Sequence, residues 1–119
     1  MKITNKELLT VLTDGSQIGF LPSLIELSNL RTGAKLAFNI AFTLQQATVA
    51  QSIVDLVKNN LNKSFENNKE YVIEEWTTLM NNESEFEIKT ISLNDLINIL
   101  DNDKITPSLL FNLKNYITE

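Results

Sequence analysis

Histidine and cysteine are absent from the 119 residues. Any chemistry must therefore rest on carboxylates, Lys, Tyr, Ser or Thr, and disulfides, thiol nucleophiles and Cys-based metal sites are excluded. The carboxylates are poorly placed for acid–base work. Glu74 and Glu75 are adjacent in the sequence, and neighbours on a helix point in different directions. The run Asp101-Asn102-Asp103 resembles the start of a calcium loop but lacks the Gly and the distal Glu that such a loop needs. Gly15, Gly19 and Gly33 stand alone, without the Lys-Ser/Thr of a phosphate-binding loop. The residue types thus point to no enzyme, no metal and no cofactor, and the recognition to look for is apolar.

One stretch stands above this background. Leu36 to Val54, LAFNIAFTLQQATVAQSIV, runs nineteen positions without a charge. At 100° per residue its apolar side chains fall into two stripes rather than one. The broad stripe is Leu36, Ile40, Leu44, Ala47, Ala50 and Val54, continuing through Val57, Leu61 and Phe65. The second, on the far side, is Phe38, Phe42, Val49, Ile53 and Leu56. Two stripes need two covers. Either the helix is an interior element of a small bundle, apolar most of the way round, or Phe38, Phe42, Val49 and Ile53 form a patch that receives an apolar helix from a partner or a sister subunit.

The elements that must position this stretch read mainly α. Thr4-Asn5-Lys6-Glu7 matches a capping box that opens a first helix carrying Leu8, Leu9, Val11 and Leu12, which stops near Asp14-Gly15. Ser16 to Leu21 reads as a loop tucked into the core, and Pro22 or Ser23 starts a second helix that ends near Leu30. Thr32-Gly33 breaks the chain before a central helix from about Ala34 to Lys63, with fraying at Asn59-Asn60. A further helix, Lys69 to Met80, puts Val72, Ile73, Trp76, Leu79 and Met80 on one face, the Trp as core. In Glu85 to Thr90, Phe86 and Ile88 alternate with charges, the pattern of a half-buried strand. Its partner would be Met1 to Thr4, the Ile18 region, or the same strand of another subunit. Ser92 and Thr106-Pro107 open two last short helices, the first with Leu93, Leu96, Ile97 and Leu100, the second with Leu109, Leu110, Leu113 and Ile117. The expected fold is mainly α: a small helical domain around one long central helix, with at most a minor β element at about Glu85-Ile91, in a single domain over 1–119.

The net charge of −5 and a pI near 4.7 argue against nucleic acid as the partner, since such binding needs clustered Lys and Arg. The uncharged stretch is long enough to span a membrane but too polar for lipid, with Asn39, Gln45, Gln46 and Gln51 inside it, and is expected to lie buried in protein. MKITNKELL lacks the apolar core of a signal peptide, so the chain is expected to stay in the cell.

Four segments together resemble a family of small proteins from siphophages of Gram-positive bacteria. They are MKITNKELLTVL, TGAKLAFNIAFTLQQ, EEWTTLMNNESEFEIKTISLNDL and ITPSLLFNLKNYI, and they cover most of the chain. A lactococcal-type member of that family resembles a non-virion chaperone of the tape-measure protein, the long helical protein that sets tail length. The resemblance implies a tail-assembly role in the host cytoplasm, outside the mature virion, with apolar helical repeats of the tape-measure protein as partner and with self-association. A small acidic regulator or inhibitor of one protein target is the alternative.

Overall fold

The computed structural model describes residues 1–64, 67–98 and 105–118. Six helices carry the described chain: α1 (Asn5–Leu8), α2 (Phe20–Ser28), α3 (Ala34–Ser64), α4 (Lys69–Asn81), α5 (Leu93–Ile97) and α6 (Pro107–Asn112). Six short strands join them, β1 (Lys2–Thr4), β2 (Thr10–Val11), β3 (Gln17–Ile18), β4 (Glu83–Glu85), β5 (Ile91–Ser92) and β6 (Ile117–Thr118). The strands form three two-stranded pairs, β1 with β4 and β2 with β3 antiparallel, β5 with β6 parallel. The fold is mainly α around one long central helix, as the periodicity indicates.

Local capping explains where most helices begin. Thr4 Oγ1 accepts from the Glu7 N–H at 3.1 Å, Ser92 Oγ from Asp95 at 3.1 Å and Thr106 Oγ1 from Leu109 at 3.2 Å, with Pro107 in the first turn of α6. Each hydroxyl satisfies an amide that the helix itself leaves free. α4 is capped in the same way by Asn68, whose side chain accepts from Tyr71.

Three expectations shift. The first helix is a single turn: Leu9 is extended, and Thr10–Val11 pairs with Gln17–Ile18. The Asp14-Gly15 turn lies close enough to fold the chain back on itself, with Gly15 at φ 87 and Leu12 N–H bonded to the Ser16 carbonyl at 2.8 Å, so a hairpin takes the residues that helical spacing would have claimed. α2 starts at Phe20, ahead of Pro22, because Gly19 serves as its N-cap at φ 123 and ψ −164. A Cβ on Gly19 would sit 2.6 Å from the Glu7 carbonyl oxygen and 3.1 Å from that of Leu8, so the residue is required both for its backbone angle and for this close approach. Finally, the alternating segment reaches strand geometry only at its ends. Glu85 closes β4 and Ile91 opens β5, while Phe86 to Thr90 runs between them without a ladder. The alternation still sets sides, since Phe86 and Ile88 pack against the core. Of the partners considered for this segment, Met1 to Thr4 is the one it meets: Phe86 N–H bonds to the Met1 carbonyl at 3.1 Å, and the Met1 amine bonds back at 2.8 Å.

The core is one continuous cluster. α2 contributes Phe20, Leu21, Leu24 and Leu27, α3 contributes Ile40, Ala47 and Ala50, and Leu8, Ile91, Leu96, Leu109, Leu113 and Tyr116 close it. Phe20 stands at its centre, with the Tyr116 ring edge-on at 6.1 Å and the Phe86 ring tilted at 6.0 Å. Buried Asn5 stitches the first turn to the end of α4: its amide donates to the Leu79 carbonyl at 2.6 Å, its N–H donates to the Asn82 carbonyl at 2.8 Å, and its side-chain oxygen accepts from Ser84. Leu100, Phe65 and the Asp101-Asn102-Asp103 run lie outside the described residues.

Candidate functional site

α3 runs unbroken for 31 residues, through Asn59-Asn60 to Ser64. Its broad stripe faces α2 and the core, where Ile40, Ala47, Ala50 and Val54 are buried and Leu36 and Leu44 pack at the edge. Farther along, Val57 is exposed and Leu61 half-buried. The core sits on one side of the helix, and among the described residues the far side is left largely open.

The second stripe lies on that far side. Phe38 is 61% exposed, Val49 54%, Ile53 58% and Leu56 60%. The expectation that the uncharged stretch is buried in protein therefore holds for half of its circumference and fails for the rest. The reason is packing: the elements that form the core with α3 lie on one side of it. From Phe38 to Leu56 the stripe extends about 27 Å at 1.5 Å per residue.

Phe42 differs from its neighbours. It is half-buried, with Lys89 Nζ 5.1 Å from its ring centroid and 6.0 Å from that of Phe38. The segment after β4 passes beside α3 here, pinned where the Lys89 N–H donates to buried Thr43 Oγ1 at 3.0 Å. The Lys89 ammonium thus lies over the two rings at the N-terminal end of the stripe. Sequence spacing does not reveal this residue, because it is brought to Phe42 from 47 positions away by the β1–β4 pairing.

The flank of the stripe is polar, with the Gln45 and Gln46 side chains beside it. Thr48 Oγ1 bonds to the Leu44 carbonyl at 2.7 Å and Ser52 Oγ to the Thr48 carbonyl at 3.0 Å. Such back-bonding is the usual recourse of hydroxyls on a helix. Between Leu36 and Val54 the helix itself carries no charge, so Lys89 supplies the charge at the N-terminal end of the stripe. The arrangement offers apolar area, and nothing in it resembles a reacting centre. Among the described residues no group of His, Cys, Asp or Glu is placed to hold a metal ion, and no helix is long and apolar enough to cross a membrane. Comparison with protein-family models, with curated proteins and with solved structures returns no match.

Proposed function

We propose that the chain is a non-catalytic tail-assembly chaperone that keeps apolar helical segments of a phage tape-measure protein in solution. The observation that carries this reading is the exposure of Phe38, Val49, Ile53 and Leu56 along one face of α3. A long uncharged apolar stripe on a rigid helix suits a second amphipathic helix laid along it. The resemblance of the four quoted segments to small siphophage proteins supplies the client. A tape-measure helix is long and repetitive and would aggregate before the tail tube covers it. Many weak sites along one polymer gain through multivalency, so each copy can bind modestly, coat the client together with its sisters and still be displaced at assembly. The work would take place in the host cytoplasm, with self-association of the chaperone adding to the gain.

The test is Phe38→Ser combined with Ile53→Ser, both at exposed positions. Folding should survive, with a loss of about 1 kcal/mol or less per site, while a co-expressed tape-measure fragment should become insoluble. A double variant that still keeps the fragment soluble overturns the assignment to this face. A fixed one-to-one complex with a globular target would favour the small acidic regulator instead.

A further inference from the structure

On the open side of α3 the exposed positions are spaced symmetrically. Phe38, Gln45, Val49 and Leu56 stand 7, 4 and 7 residues apart, centred on the level of Ala47. On a wheel of about 100° per residue all four lie within about 40° of one another. Phe42 and Ile53 border them on one flank, and the small Ala41 and Ser52 on the other. A face of this kind reads the same from either end.

A two-fold axis at right angles to the helix, at that level, lays a second, antiparallel α3 along the first. Phe38 is then level with Leu56 of the second copy, and Gln45 with its Val49. On one flank Phe42 comes within one residue of the level of Ile53, and on the other Ala41 within one residue of Ser52. The large side chains thus share a flank, while the small ones let the backbones approach to the about 8–10 Å of packed helices. Two stripes of equal length overlap fully in one register alone, since a shift of one turn returns large side chains to water at both ends.

Charge selects the direction. The helix has no charge between Leu36 and Val54 to repel its mate across the axis. The Lys89 ammonium lies over Phe38 and Phe42 at one end, and parallel pairing would bring two such groups together. The antiparallel pair holds them about 15–20 Å apart along the helix, beyond a Debye length of about 8 Å. It also opposes the two helix dipoles. The contact is about 27 Å long and one helix, about 10 Å, wide. That falls below the about 800 Å² per partner of a standard interface and suits a weak, reversible pair.

We infer that, in the absence of a client, the stripe is covered by a second copy of this chain in an antiparallel, two-fold pair. The pair follows from the geometry of the stripe and does not need the client's identity. Under the chaperone reading, on which this step alone rests, a client helix takes the place of the sister helix and two copies are set free beside it.

Sedimentation equilibrium of the full chain should show one step from a single chain of 13.5 kDa to two, half complete on the order of 10–100 μM, with no larger species. Val49→Glu brings two carboxylates close to the axis and should keep the chain monomeric, with its helical circular dichroism intact. No cysteine is present, so single thiols report the register. When Phe38→Cys and Leu56→Cys chains are mixed at dimer-forming concentration and mildly oxidised, the mixed disulfide should form about tenfold faster than either homodisulfide. A parallel pair gives the reverse order. A chain that stays monomeric to roughly 500 μM, a Val49→Glu variant that still pairs, or homodisulfides that form faster overturns the inference. No client enters these measurements, so the co-expression test of the chaperone reading stands or falls separately.

Discussion

Lys89 governs how much of the stripe is available at its N-terminal end. Its ammonium lies over the Phe42 ring and, farther off, over that of Phe38, while its backbone is held independently by Thr43. Lys89→Ala should therefore leave the fold nearly as stable, losing about 0.5–1 kcal/mol of cation–π attraction, and should bind an apolar helix more tightly, as read from client solubility at limiting chaperone. Tyr116 makes a different prediction. Its ring is fully buried, and burial pushes its phenol above the ordinary range, with nearby Thr43 pulling partly back. The folded state holds the neutral phenol, whereas the unfolded chain ionises it near pH 10. This contribution to stability is complete below about pH 10 and is lost as pH rises through the folded value. Urea midpoints should fall above pH 10 in the wild type and fall less steeply in Tyr116→Phe. Neither role is legible in the sequence, because Lys89, Thr43 and Tyr116 meet only through the tertiary fold.

Elements with a local cause were legible. The bounds of α3 follow from Gly33 and an uncharged periodic run, and the caps at Thr4, Ser92 and Thr106 follow from residues within one turn. The strands were harder, since pairs two or three residues long are set by what lies across from them and not by their own composition. The start of α2 was missed for a similar reason. Pro22 carries a strong local signal, but the constraint that places the helix is the contact of Gly19 with the carbonyls of Glu7 and Leu8. Gly19→Ala should accordingly be costly, on the order of 1–3 kcal/mol from the backbone angle alone and more from the clash, seen as a lower urea midpoint. For the candidate site, spacing correctly grouped Phe38, Val49 and Ile53 on one face. It could not decide whether that face was covered, which depends on what other elements pack against α3.

The whole molecule is drawn out by α3. It measures 53 × 28 × 20 Å with a radius of gyration of 16.2 Å, against about 13–14 Å for a compact domain of this length. The exposed stripe on so slender a body should promote association at high concentration. Light scattering should show a mass above the 13.5 kDa of one chain, rising with salt as the repulsion between copies of net charge −5 is screened; a mass independent of concentration and salt would refute this. The contact that Phe38, Val49, Ile53 and Leu56 offer is apolar, and apolar attraction is non-directional. A helix resting on it keeps similar contacts after a shift of one turn, about 5.4 Å. A client held this way could creep lengthwise beneath its clamp. A growing tube could then draw it off from one end, turn by turn, with no need to break every contact at once.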